Sequence, residues 1–261
     1  MDLELTGKVA VVTGASRGIG EAIARVLAEC GMDVFLAARS KDDLKRVAQE
    51  IAAATGRRAA IHDCDLIDPA APAAAVAAAM ATFGRIDVLV NNAGATKRGD
   101  FLTLTDDDWA SGFGLKFFGA MQTTRAAWPH LVAAKGAVVN IVGIGSRVAR
   151  ADFTIGGSVN SALINFTQAM ADRGRADGVR VNAINPGHIN TSRLDGRIKL
   201  TMEKHKVGRE AAIGHMVKEL GIERFGEPQE IGWLTAYLVS RRADFVHGSI
   251  IDIDGGETRA M

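Results

Sequence analysis

The sequence predicts one α/β domain built on a doubly wound parallel sheet of about seven strands, flanked by helices. Three observations predict it. Short β-rich apolar runs alternate with helical patterns almost to the end of the 261-residue chain. Runs such as Ile86-Asp87-Val88-Leu89-Val90 and Ala137-Val138-Val139-Asn140-Ile141-Val142 are near-continuous, as in strands covered on both faces by crossover helices. No internal repeat or linker divides the chain, so residues 1–261 read as a single domain.

By this reading strands fall at 8–13, 33–38, 58–62, 86–91, 136–142, 179–185 and 249–253. Helices fall at 18–30, 41–54, 69–82, 106–133, 154–175 and 227–239. Punctuation agrees with the bounds. Gly31 closes the first helix, Asp68-Pro69 opens the third, and Gly84 ends it. The Ala-rich stretch 69–81 reads as a surface helix, because alanine is the best helix former. Residues 191–225 break the rhythm. They carry Arg193, Arg197, Lys199, Lys204, Lys206, Arg209 and Lys218 among Met202, Ile213, Met216, Val217 and Leu220. An insertion beyond the carboxyl end of a strand lies over the ligand crevice in this architecture, so 191–225 is expected to be a substrate lid. Its basic character leans towards an anionic substrate; the alternative is a solvated helical pair with an ordinary apolar face.

Charge is balanced, 31 basic against 30 acidic residues, which gives no reason to expect nucleic-acid binding. Cys30 and Cys64 lack metal-ligand spacing and read as free thiols of a reducing compartment. Residues 1–8 lack the basic start and apolar core of a signal peptide, and no apolar run is long enough to span a membrane. A cytoplasmic location is the expectation.

One stretch organises the rest: Thr13-Gly14-Ala15-Ser16-Arg17-Gly18-Ile19-Gly20, between the apolar run Val9–Val12 and the helical Glu21–Ala28. Strand, glycine-rich turn and helix in this order read as a Rossmann-type dinucleotide site, with an ordinary β–α turn as the alternative. Gly14 makes the tight turn, Gly18 lets a pyrophosphate approach the backbone, and Gly20 lets the helix pack close. The helix start offers free N–H groups and a positive dipole end. The spacing is G-x-x-x-G-x-G rather than G-x-G-x-x-G.

With four further segments in order, the chain resembles the short-chain dehydrogenase/reductase family over nearly its whole length. These are Cys64-Asp65-Leu66, Asn91-Asn92-Ala93-Gly94, Val181 to Thr191 with its Pro186-Gly187, and Asp252-Ile253-Asp254-Gly255-Gly256. The resemblance implies a cofactor site of Gly14, Ser16, Arg17, Gly18, Ile19 and Gly20 at the loop. Asp65 and Leu66 lie at the adenine, with Asn91, Ala93 and Gly94 after the fourth strand and Pro186, Gly187, Ile189 and Thr191 beside the nicotinamide. NAD-dependent members usually carry an Asp at the end of the second strand; here Ala38 stands there and Arg39 follows. A guanidinium suits a 2′-phosphate, and Arg17 is a second one, so NADP(H) is expected over NAD(H).

The resemblance also implies a catalytic Asn, Ser, Tyr and Lys, and here the chain departs from it. Register from Val139-Asn140-Ile141 puts the Ser position at Gly143. Register from Ser161-Ala162-Leu163 puts the Tyr and Lys positions at Gly156 and Asn160. Register from Trp109 and Gly119 puts the Asn position at Lys116. The single tyrosine, Tyr237, lies in the late helix and reads as packing or interface. Lys116 is the first candidate for a relocated acid/base, because a desolvated lysine can titrate low enough for proton transfer; the alternative is a lysine that simply bonds a backbone carbonyl or reaches solvent. His188 is the second and Asp152 a third. Three activities fit this pattern: NADP(H)-dependent oxidation and reduction of a small carbonyl or alcohol, NADP(H) binding without turnover, and a non-redox lyase- or isomerase-like reaction in the same crevice. Family members are commonly tetramers. Phe113, Phe117, Phe118, Leu163, Phe166 and Trp233 fit a homotetramer or dimer interface and fit a core equally well.

Overall fold

Val11 and Val12 are both fully buried, yet they belong to different cores, one on each face of the same sheet. That is the period-two geometry of a strand covered on both sides. The computed structural model, which describes residues 2–258, contains seven parallel strands. They are β1 (Val9–Thr13), β2 (Asp33–Ala38), β3 (Ala59–Asp63), β4 (Val88–Asn91), β5 (Ala137–Ile141), β6 (Arg180–Pro186) and β7 (Ile250–Ile253), in the order β3-β2-β1-β4-β5-β6-β7. Register runs Val11↔Phe35 and Val11↔Leu89, then Val90↔Val139 and Asn140↔Ala183. Strand order reverses between β1 and β4, where a crevice opens at the carboxyl ends of the strands.

Helices α1 (Gly18–Glu29), α2 (Lys41–Thr55) and α9 (Pro228–Val239) cover one face, burying Ile23, Leu27, Leu44, Ile231 and Leu238 against Val12 and Leu36. Helices α3 (Ala71–Phe83), α5 (Gly119–Ala134) and α6 (Thr154–Asp177) cover the other, burying Val76, Leu131 and Ala171 against Val11, Phe35 and Leu89. Each such large side chain contributes about 1.5–3 kcal/mol on burial.

Strand and helix positions follow the sequence pattern to within two residues, with two departures. The long pattern at 106–133 is interrupted. Helix α4 (Asp106–Phe113) starts at a Thr105–Asp108 capping box, and a π-helical turn, Gly114–Phe118, separates it from α5. Residues 191–225 form two helices, α7 (Ser192–His205) and α8 (Arg209–Leu220), around their own small core of Leu194, Ile198, Ala212, Met216, Ile222 and Phe225. Cys30 and Cys64 are free thiols, and burial pushes Cys64 up to about 11, which leaves it unreactive. Among the described residues, no helix is long and apolar enough to cross a membrane.

Candidate functional site

The end of β1 is tied to the end of β4 by one buried hydroxyl. Thr13 Oγ1 accepts from the backbone N–H of Asn92 at 3.0 Å and of Ala93 at 3.1 Å, and donates to Val90 O at 3.3 Å. Asn92 Nδ2 donates to the carbonyls of Thr13 and Gly14 at 3.0 and 3.1 Å, clamping the glycine loop. A Cβ at Gly20 would overlap both Gly14 O and Asn92 Nδ2, so only glycine lets α1 start this close to the loop. Gly14 and Gly18 take φ of +65° and +61°. No side chain caps α1: Arg17, extended and exposed at its start, makes no capping bond. The first-turn N–H groups therefore face the crevice. A cradle of bare amides under two positive-φ glycines fits the pyrophosphate of a dinucleotide.

The other expected cofactor residues lie around the same crevice. Ser16 and Ile19 are half-buried beside the loop. Thr191 Cγ2 lies 3.4 Å from where a Gly18 Cβ would stand, so the start of α7 meets the loop. Arg39 is exposed and faces Asp65 Oδ2 at 3.8 Å, with Leu66 buried behind. Gly94 O accepts from Arg193 Nη2 at 2.7 Å. Gly187, after Pro186, donates its N–H to Ile253 O at 3.1 Å, and a Cβ there would meet Asp254 Cβ at 2.7 Å. Ile189 is buried and bridges to Gly226. Asn91 is expected at the cofactor, where its backbone is the part left to contribute. Its side chain is buried in the sheet and donates to Thr124 Oγ1 and Asn140 Oδ1, both at 2.9 Å, so it braces β4 against β5 and α5. Asn92 is the side chain that shapes the loop.

The positions expected to be catalytic also converge here. Lys116 sits on the π-helical turn, an irregularity frequent at functional sites. Its stem runs past Gly94, and its Nζ donates to Val142 O at 2.5 Å. Burial pulls its pKa from 10.5 to about 7, and the nearby Arg193 charge adds to the fall. Gly143 has φ +142°, and its N–H is held by Asn185 Oδ1 at 2.9 Å, which also accepts from Ser146 Oγ at 3.2 Å. At Gly156 the space of a side chain is taken: a Cβ would overlap the Phe153 ring. The same ring would stand 2.6 Å from a Cβ at Gly145, so two glycines enclose it, and Arg98 stacks over it at 3.9 Å. Asn160 is buried, with Oδ1 lacking any partner and Nδ2 near the backbone of Gly143 and Gly145.

His188 is engaged at both ring nitrogens. Nδ1 meets Glu257 Oε2 at 2.5 Å and Nε2 meets Arg197 Nη1. A carboxylate accepts and a guanidinium donates, so the Nδ1–H tautomer is the one present. Asp152 is exposed and paired with Arg98 at 3.0 Å. Tyr237 lies partly exposed on α9, in the outer layer. Among the described residues, no cluster of His, Cys, Asp and Glu could hold a metal ion.

Known proteins share this chain's sequence pattern and fold. A family model described as enoyl-(acyl carrier protein) reductase matches residues 14–258. The oxidoreductase UcpA of Salmonella typhimurium is 35% identical over 98% of this chain and 96% of its own length. The meso-2,3-butanediol dehydrogenase of Serratia marcescens is 32% identical over the same shares. L-sorbose reductase from Gluconobacter frateurii, solved with NADPH and L-sorbose, superposes with a TM-score of 0.96 at 30% identity over the full length of both chains. The chain belongs to the short-chain dehydrogenase/reductase family. That family is one of oxidoreductases. Phe153, Arg98 and Glu257 are the site residues that sequence reasoning missed. Phe153 stands three residues before Gly156 with no motif to mark it, and Glu257 reaches the site only through the turn after β7.

Proposed function

We propose that the chain is an NADP(H)-dependent reductase of small carbonyl compounds, with preference for NADP(H) over NAD(H), in which the Lys116 ammonium takes over the proton-donating role. The observation that carries this is the placement of Lys116: an amine at the crevice between Gly94 and Val142, depressed to about 7. The nicotinamide, when bound, supplies or accepts the hydride. Gly14, Gly18 and the open start of α1 would hold the pyrophosphate, and Arg17 and Arg39 the 2′-phosphate.

The chain's own side chains would do the rest. One N–H of Lys116 is anchored on Val142 O, which fixes the amine, and two remain for a substrate oxygen. Arg193, held on Gly94 O, raises the acidity of that ammonium. An acid whose pKa lies near neutrality is matched to proton transfer there. Gly143 brings no side chain to the substrate oxygen, and its N–H is already engaged by Asn185, so Lys116 is the donor available. Phe153 packs where a tyrosine would project and keeps that volume dry. The same reading includes self-association as a homotetramer or dimer, for which exposed Phe118, Trp233 and Phe245 offer apolar surface.

The test is NADPH absorbance with a panel of small aldehydes, ketones, keto acids and quinones, for wild type and Lys116→Met. The expected result is consumption by wild type and a fall of at least about 100-fold in kcat for the variant, with NADPH still bound. Binding without consumption across the panel would support the second reading, a cofactor-binding protein without turnover, which the Phe153 ring in the tyrosine's place favours. Product formed with no net change in NADPH would support a non-redox reaction.

A further inference from the structure

We propose that Arg197 is the receptor for an anionic group on the substrate, a carboxylate or a phosphate. The proposal rests on the reductase reading of the crevice and names its substrate class. Arg197 lies on α7, four residues beyond Arg193 and on the same face, about 6 Å further along the axis. Arg193 reaches Gly94 O, and its charge is felt at Lys116. Arg197 therefore stands about one turn beyond the residue that abuts the proposed proton donor.

Its surroundings hold more positive than negative charge. Arg197 is half-buried, and its strongest perturbation is burial, followed by the like charges of Arg98 and Arg150. Two carboxylates are near, and each is already engaged. Asp152 pairs with Arg98 at 3.0 Å, while Glu257 takes His188 Nδ1 at 2.5 Å and Arg150 at 3.8 Å. Three guanidinium groups against two carboxylates leave one net positive charge. Among the described residues, Arg197 forms no ion pair; its side-chain polar partner is the uncharged Nε2 face of His188. A half-buried guanidinium with no anion of its own costs free energy that a bound carboxylate or phosphate offsets.

His188, its proton fixed on Nδ1 by Glu257, accepts one N–H of Arg197 and leaves the remaining N–H groups of that guanidinium for a bidentate oxyanion. Arg98 forms a fixed second wall, stacked on Phe153 at 3.9 Å and tied to Asp152. The substrate class that follows is a carbonyl compound bearing an anionic group, its carbonyl at Lys116 and its anion at Arg197. A keto acid and a phosphorylated carbonyl share this chemistry.

The experiment reads binding without turnover. Wild type saturated with NADPH, which occupies the Arg17 and Arg39 end, is titrated by calorimetry with malonate and, separately, with inorganic phosphate. Arg197→Met and Arg197→Lys follow, each checked for NADPH binding on the same sample so that a misfolded variant is recognised. The expected result is saturable binding of at least one anion to wild type. That binding weakens at least tenfold in Arg197→Met and less in Arg197→Lys, which keeps the charge without the fork. Tighter malonate points to a carboxylate substrate, tighter phosphate to a phosphate ester. No binding of either anion to wild type, or equal binding by wild type and Arg197→Met, overturns the proposal. Failure of every carbonyl to consume NADPH would contradict the reductase reading alone.

Discussion

Phe153 fills the room that Gly145 and Gly156 leave, and Arg98 covers its face at 3.9 Å. The glycine loop, the missing acidic residue at Ala38 and the absence of a tyrosine near Gly156 are all local, and the sequence displays them. What fills the tyrosine's place is not local. Phe153 enters the gap because Gly145 and Gly156, eleven residues apart (156 − 145), both lack side chains, a through-space relation that no short motif encodes. His188 was legible as a titratable group in the right segment, but its two partners, Glu257 and Arg197, are 69 and 9 residues away in sequence. At this scale the cofactor preference is testable. Arg39 is 64% exposed and bound only loosely to Asp65, so it is free to turn to a 2′-phosphate. Arg39→Ala is expected to weaken NADPH binding about tenfold and leave NADH within about twofold, the effect of losing one charge-assisted hydrogen bond. Fluorescence titration with both nucleotides measures it, and an equal loss for both removes the assignment.

Elements were the most legible level. Continuous apolar strands, alanine-rich and amphipathic helices and glycine stops are consequences of burial on both faces of one sheet, and that pattern is written in every β–α unit. One feature escaped, and a second was read only as the alternative. The π-helical turn at Gly114–Phe118 preserves the apolar rhythm on either side of it, so periodicity reads straight through. The α7–α8 pair is polar on most of its surface and buries a small core of its own, which weakens its helical signal against the strong central pattern. That separate core makes a prediction. Ile198→Ala removes a side chain 1% exposed at the centre of the pair and is expected to cost about 2–4 kcal/mol there. Hydrogen exchange would show α7 and α8 losing protection while β1, β4 and β5 keep theirs; loss spread evenly over the sheet would contradict a semi-independent lid.

For the whole molecule, the fold places three strand ends, those of β4, β5 and β6, around one reacting space. Gly94, Val142 and Gly187 follow those strands, and α7 reaches Gly94 O through Arg193 and His188 through Arg197. The central claim is that chemistry in this space runs on the Lys116 ammonium. The sign follows from its depressed pKa. Below about 7 the amine is protonated and can donate; above it the amine is neutral and cannot. Reduction should therefore fall as pH rises, and the reverse oxidation should rise. The decisive measurement is kcat/KM for carbonyl reduction at saturating NADPH between pH 5.5 and about 9, a range that brackets the lysine and reports the free enzyme's acid. The account predicts a single fall of about tenfold per pH unit above about 7, absent from the residual rate of Lys116→Met. A flat profile in wild type, or the same fall persisting in Lys116→Met, would contradict it.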